Sequence, residues 1–338
     1  MPSMTVTTRE RAYDIVLERG VLNRIGDYVD VNRRVLIVTD DGVPPEYGRR
    51  VLSQCPQGSL TVVAQGEGAK SFPVFEHLCR ELMRLNFSRR DLVIALGGGV
   101  IGDLAGFAAA SYMRGIDFVN APTTTLSQID SSIGGKVAIN LDGVKNIIGA
   151  FHQPCCVLAD PNTLQSLTPR HYHNGLVEAV KAGLIMDPGL FELFEAGEPR
   201  DHIEEIVRRS LAVKRYVVER DEREGGLRKI LNFGHTIGHG LESVYGLGGL
   251  YHGEAVALGM LPMIGDPGLR ERTKRVFHRL GIATKAPFDP EAVFAVMTRD
   301  KKSDGAHTTI VRVDTLGEAR LEDVDRAELK ALLGRLNA

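Results

Sequence analysis

Cysteine is scarce in this 338-residue chain: Cys55, Cys79, Cys155 and Cys156 are the whole complement, and no two stand in a C-x-x-C spacing. That argues against a disulfide scaffold or a zinc ribbon, so any metal has to be held by imidazole and carboxylate groups. Long apolar runs are missing as well. The opening MPSMTVTTRERAYDIV has neither an apolar signal core nor an acid-free, Arg/Ser-rich transit pattern, so the sequence leads to the expectation of a cytoplasmic protein without a membrane span. Nor is one sign of charge in excess: 41 basic and 43 acidic residues give a formal net charge of −2, with no long block of like charge. Nucleic acid and acidic membrane surfaces are therefore poor candidate partners, and small molecules good ones.

What is present is the composition of a globular protein, 43% hydrophobic and 25% charged, with core enough for two domains. In the first half, short β-branched runs (34-RVLIVTDD-41, 60-LTVVAQG-66, 91-DLVIALGGG-99, 117-DFVNAPTT-124, 155-CCVLADP-161) alternate with helical patterns such as 72-FPVFEHLCRELMRLNF-87. This reads as an α/β layer structure on a largely parallel sheet. Beyond about residue 165 helical periodicity takes over, as in 174-NGLVEAVKAGLIMDPGLFELFEAG-197 and 202-HIEEIVRRSLAVKRYVVERDE-222. The expected organisation is an α/β N-terminal domain over 1–165 and an all-α C-terminal domain over 166–338, with the crevice between them as the default ligand site.

Three stretches carry chemistry. The apolar strand 92–96 runs into 97-GGGVIGDLAGFAAASYM-113, where Gly97, Gly99 and Gly102 satisfy G-x-G-x-x-G. In that strand–turn–helix setting, backbone N–H groups can approach a diphosphate, although a tight turn without a ligand would also use these glycines, and Asp103 could simply cap the helix. The segment 121-APTTTLSQIDSSIGGKVAINLDGVKNIIGAFHQP-154 is crowded with small hydrogen-bonding side chains and two lysines, which suits a polyhydroxylated, phosphorylated ligand or a solvated loop. In 231-LNFGHTIGHGLESVYGLGGLYHGEAV-256, His235 and His239 share a helical face and His252 returns from the next turn, a spacing that permits a metal site. An acidic ligand is available from Glu178, which sits in an otherwise apolar helix three residues before Lys181; an intrahelical ion pair is the simpler explanation of that pair.

Taken together, these motifs resemble the 3-dehydroquinate synthase family of sugar-phosphate cyclases over nearly the whole chain. GEGAK, GGGVIGDLAGFAAASYMRG, PTTTLSQIDSSIGGK, GVKNIIGAFHQP, NGLVEAVKAGLI, VVERDEREGGLRKILNFGHTIGHGLE, HGEAVALGM and RDKKSDG stand in the family's order. The resemblance implies a Rossmann-like domain, a helical domain, and NAD, a divalent metal (zinc, or cobalt) and substrate meeting in the cleft. It assigns the metal to Glu178, His235 and His252, and moves His239 to the substrate. It assigns NAD to Asp41, Glu67, Lys70, Gly98, Gly99, Val100, Gly102, Asp103, Thr123, Thr124, Asp130 and Lys145. Catalytic contacts would come from Lys136, Lys181, Arg228, Asn232 and His239, and further substrate contacts from Asn146, Lys214 and the pair Lys301 and Lys302. Arg114 would reach the substrate phosphate in a neighbouring subunit, implying a homodimer. The implied reaction converts 3-deoxy-D-arabino-heptulosonate 7-phosphate to 3-dehydroquinate and phosphate, a phosphate-eliminating lyase step of the shikimate pathway to chorismate and the aromatic amino acids.

The chain departs from the family pattern at Thr125 and Val137 and is shorter over 261–299. Three rival readings are a cyclase acting on another sugar phosphate, a metal-dependent alcohol dehydrogenase of the same architecture, and an NAD-binding regulatory protein. The dehydrogenase would have little use for the lysine and arginine cluster.

Overall fold

A computed structural model describes residues 4–246, 248–298 and 307–336 of the chain. The chain divides into two compact units, Met1–Thr168 and Pro169–Ala338. The first contains β1 (Met4–Thr7), β2 (Ala12–Leu17), β3 (Arg34–Asp40), α1 (Pro45–Leu52), β4 (Gln57–Val63), α2 (Phe72–Arg84), β5 (Leu92–Gly97), α3 (Gly99–Ser111), β6 (Asp117–Pro122), β7 (Lys136–Leu141), β8 (Val144–Phe151) and β9 (Cys156–Ala159). Seven strands form one sheet in the order β1-β2-β9-β6-β5-β3-β4, parallel except for the edge pair β1–β2.

The central strands are buried on both faces, which is why they read as continuous apolar runs. Their side chains alternate all the same: Val35 and Ile37 of β3 join Leu92, Ile94 and Leu96 of β5 in one core, whereas Leu36, Val38, Val93 and Ala95 join α2 and α3 in the other. The α2 helix contributes Leu78 and Leu82, one turn apart, to that second core. From β3 the chain steps outward to β4, then returns to β5 and continues in the opposite direction to β6 and β9. The carboxyl ends of β3 and β5 therefore flank a topological switch point, where open α/β sheets bind their ligands.

The polar run 121–154 is more ordered than a solvated loop: Ser127–Ser131 is a π-helical turn and β7 and β8 pair as an antiparallel hairpin. Val137 and Thr125 are both core positions. Val137 is buried under α3, where a Cβ added to Gly106 would collide with its methyl group. Thr125 is wholly buried and its hydroxyl has no hydrogen-bond partner, a cost of roughly 1–3 kcal/mol relative to a satisfied group.

The second unit comprises α4 (Pro169–Ile185), α5 (Pro188–Ala196), α6 (Ile203–Arg220), α7 (His235–Tyr245), α8 (His252–Met260), α9 (Pro267–Arg279) and α10 (Pro290–Met297), then β10 (His307–Thr315), β11 (Glu318–Asp325) and α11 (Arg326–Gly334). It is helical as expected, with one addition that helical periodicity did not announce, the antiparallel ribbon β10–β11. Residues 261–298 are regular: the Asp266 and Asp289 side chains accept from the backbone N–H groups of Leu269 and Glu291, and Pro267 and Pro290 occupy the first turns of α9 and α10. No helix among the described residues is long and apolar enough to cross a membrane.

Candidate active site

In the first unit, the elements at the switch point gather charged groups around Lys70. Its ammonium is 3% exposed and lies 2.6 Å from an Asp103 carboxylate oxygen and 3.6 Å from Glu67, and it donates to the Asn146 side-chain carbonyl. Asn140 completes the network: its amide donates to Glu67 at 2.8 Å and its carbonyl accepts the Asn146 N–H at 2.8 Å. Asp103 is thus an interior residue of α3 paired with Lys70. It does not cap the helix; the N-cap is Gly98, which has no side chain to do so.

The four glycines of the turn make room for contacts inside the fold. A Cβ at Gly97 would strike Ile101, and one at Gly102 would lie 3.1 Å from the Asn120 amide. Gly98 and Gly99 bring the start of α3 against Thr124 and the Ser131 hydroxyl, whose oxygen has no hydrogen-bond partner. Asp41, just after β3, accepts the Gln65 N–H at 2.7 Å. Thr123 is buried, Thr124 bonds Ser127, and Asp130 lies on the π-helical turn. Lys136 and Lys145 stand on the two strands of the hairpin, both exposed.

In the second unit, α4, α7 and α8 pack together around Glu178. Their approach depends on glycine: a Cβ at Gly253 would run into the carbonyl oxygen of Asn174 on α4, and one at Gly259 into that of Gly234 before α7. The result is that Glu178, His235 and His252 each present one ligand atom within 4.8 Å of the others. The Nε2 atoms of His235 and His252 lie 3.8 and 3.5 Å from the same Glu178 oxygen, Oε1. The opposite nitrogens are engaged: Nδ1 of His235 donates to the Phe233 carbonyl at 3.2 Å, and Nδ1 of His252 to Glu242 Oε2 at 3.3 Å. Imidazoles anchored in this way aim Nε2 at a common point.

Glu178 is 2% exposed and forms an ion pair with Lys181 through Oε2, as the three-residue spacing suggested, yet neither oxygen accepts a directed hydrogen bond. Burial pushes its carboxyl up, but Lys181 together with the neighbouring imidazoles more than offsets this and holds it well below the usual carboxylate range. Burial and the Lys181 charge keep His235 neutral. His252 behaves oppositely: against burial, the Glu178 carboxylate beside its Nε2 and the hydrogen bond from its Nδ1 to Glu242 raise it to about 9. Two imidazoles and an ionised, under-bonded carboxylate are a donor set that fits a divalent cation such as zinc.

His239 is exposed and stands apart from this triad, grouped instead with Glu242 and His252; its ring centroid is 5.1 Å from that of His235. Arg228 and Asn232 lie on the 3-10 turn that leads into α7 and packs on α4 and α6. Arg228 is buried, its backbone N–H held by Asp221 at 2.9 Å, and the Asn232 amide donates to Glu224 at 2.7 Å. Lys214 is buried on α6. Lys301 and Lys302 lie outside the described residues. Sequence reasoning did not single out Glu242, and it placed Asn140 only among the polar side chains of the 121–154 segment without a role. Glu242 was accessible, since seven residues after His235 is two helical turns and the same face.

Comparison with known proteins bears on this arrangement. Residues 60–174 match the family model for the N-terminal part of 3-dehydroquinate synthase, and residues 175–303 the model for its C-terminal part. A 3-dehydroquinate synthase of Enterococcus faecalis is 40% identical over 352 residues, covering 98% of each chain. Among solved structures, a 2-epi-5-epi-valiolone synthase from Streptomyces hygroscopicus with NAD+ and Zn2+ bound is similar with a TM-score of 0.88 and 28% identity, covering 98% of each chain. A 2-deoxy-scyllo-inosose synthase complexed with carbaglucose-6-phosphate, NAD+ and Co2+ gives a TM-score of 0.87 at 25% identity, covering 98% of this chain and 99% of that one.

The raised His252 pKa has a measurable consequence. A cation entering the triad takes Nε2 and must expel its proton, so apparent metal affinity rises with pH by about tenfold per unit until about pH 9 and then levels off. In the metal-free protein the sign is reversed: the charged His252 stabilises the fold below the ordinary imidazole range and that contribution is lost as pH rises through about 9. Calorimetric zinc titrations at pH 7.5 in buffers of different ionisation enthalpy should show about one proton released per metal. Zero release would contradict the assignment of His252.

Proposed function

This chain belongs to the 3-dehydroquinate synthase family, and from that premise we infer that it acts as a 3-dehydroquinate synthase, converting 3-deoxy-D-arabino-heptulosonate 7-phosphate to 3-dehydroquinate and phosphate. The observation that carries the reading within the site is the convergence of two anchored Nε2 atoms on one oxygen of a buried carboxylate. A bound nicotinamide supplies a hydride acceptor and donor, and a bound divalent cation a Lewis acid.

Around those groups each residue set has a distinct task. Glu178, His235 and His252 would hold the cation, with Lys181 keeping the carboxylate ionised. Glu67, Lys70, Asp103, the Gly98–Gly102 turn, Asp41, Thr123, Thr124, Asp130 and Lys145 would hold NAD. The start of α3 offers its free N–H groups to the diphosphate. Lys136, Arg228, Asn232 and His239 would grip the substrate and its developing charge, aided by Asn146, Lys214 and the Lys301–Lys302 pair. With both groups held, transient oxidation of the substrate at C5 would acidify its C6 proton and let phosphate leave by carbon–oxygen cleavage, and after the hydride is returned to C5 ring opening and an intramolecular aldol step would close the carbocycle. The overall class is a lyase in which the nicotinamide is returned to its starting state.

A homodimer belongs to the same proposal. Met113 and Arg114 are consecutive non-glycine residues in the left-handed region, φ 50° and 67°, and Arg114 is exposed at their turn. Such strain persists where a side chain must be presented for a purpose, here the phosphate bound by a second copy. The four cysteines are all unpaired, which suits a reducing cytoplasm.

Two measurements test the reading. Purified protein given the heptulosonate phosphate and sub-stoichiometric NAD should release many phosphates per NAD without net NADH absorbance, and a chelator should stop it. Absence of phosphate release with NAD and metal bound would exclude this substrate. Arg114→Ala should weaken substrate binding roughly tenfold or more, the scale of one lost charge-assisted bond, with NAD affinity retained; calorimetry showing unchanged substrate affinity would contradict the shared site.

A further inference from the structure

Glu242 has no part in the reading above, yet it occupies the best-defined position next to the triad. It lies two turns along α7 from His235, on the face turned to α8, and its side chain is 17% exposed. Its Oε2 accepts from Nδ1 of His252 at 3.3 Å, and Nε2 of the same ring faces Glu178 Oε1 at 3.5 Å. The two nitrogens of one imidazole are therefore held between two carboxylates, one per helix on either side of α8. We propose that Glu242 is a positioning residue: it fixes the proton of His252 on Nδ1 and the ring's orientation, so that Nε2 is the nitrogen offered to the cation.

Three features support a positioning role over a surface ion pair. The partner is a ring whose other nitrogen is already committed to the triad, so moving Glu242 moves a ligand. His235 has its counterpart in the Phe233 carbonyl, which shows that each ring is anchored through Nδ1 by a different device. His252 needs the stronger anchor because its side chain is 29% exposed, against 14% for His235, so the surrounding packing holds it less. Carboxylate-to-imidazole anchoring of this kind changes metal affinity by about 10–100-fold.

The proposal rests on the metal assignment, so its test must separate the two. Zinc dissociation constants are measured by competition with a chromophoric chelator for the wild type, His252→Ala, Glu242→Ala and Glu242→Gln, and the visible spectra of the cobalt-loaded forms are recorded. His252→Ala should lose the site altogether; if it retains wild-type affinity, the metal assignment itself is wrong. Glu242→Ala should bind zinc about 10–100-fold more weakly with altered cobalt bands. Glu242→Gln, whose amide oxygen can still accept from Nδ1, should recover most of that loss. Loss in His252→Ala with wild-type affinity and spectrum in Glu242→Ala would overturn the positioning role alone. So would a second zinc per chain that disappears in Glu242→Ala, since His239, Glu242 and His252 also present ligand atoms within 4.8 Å of one another.

Discussion

A carboxylate that is buried must be matched by positive charge or by hydrogen bonds, and Glu178 has almost none of the latter. Lys181 accompanies it along the same helix, and two imidazoles meet it from α7 and α8. Everything distinctive about the second unit follows from bringing three helices to that one oxygen. Close approach requires glycine at 253 and 259, where any side chain would meet a backbone carbonyl. Anchoring requires a carbonyl behind one ring and a carboxylate behind the other. A core glutamate without these surroundings would take up a proton or expel its helix; with them it stays ionised and available to a cation.

The first unit solves a complementary problem. Lys70 is as deeply buried as Glu178, and its charge is met by Asp103 and Glu67, with Asn140 and Asn146 tying the hairpin into the network. The network sits at the switch point of the sheet, beside the free N-terminus of α3 and the unpartnered Ser131 hydroxyl. Placement at the ends of parallel strands supplies converging backbone donors, and the buried lysine supplies a fixed charge whose orientation is over-determined.

Much of this was legible in the sequence. Period-2 and continuous apolar runs located the central strands because they are buried on both faces, and the i, i+4 spacing of His235 and His239 located α7. Spacing alone, however, offered His239 as readily as His252 for the cation; only the packing of α8 against α7 separates them. The all-helical reading of the second unit overlooked β10–β11: β10 carries the β-branched run 308-TTIVRV-313 with Ile310, Val311 and Val313 buried, but its partner β11 is dominated by charged residues, of which Arg320 and Glu322 pair across the ribbon with Asp314 and Arg312, and gives no alternating apolar signal. The hairpin β7–β8 was hidden for a similar reason: its polar residues serve the Lys70 network, so they read as loop. The starts of α9 and α10 are plain in the Asp266-Pro267 and Asp289-Pro290 steps, which combine a capping carboxylate with a proline that needs no N–H partner.

One oxygen of Glu178 and the Nε2 atoms of two anchored histidines offer a cation site. Zinc-edge X-ray absorption on the zinc-loaded wild-type protein tests it most directly. The expected spectrum has oxygen and nitrogen neighbours at about 2.0–2.1 Å, with scattering from two imidazole rings that drops to one ring in any residual zinc bound by His252→Ala. Sulfur in the first shell, or no imidazole scattering, would contradict it.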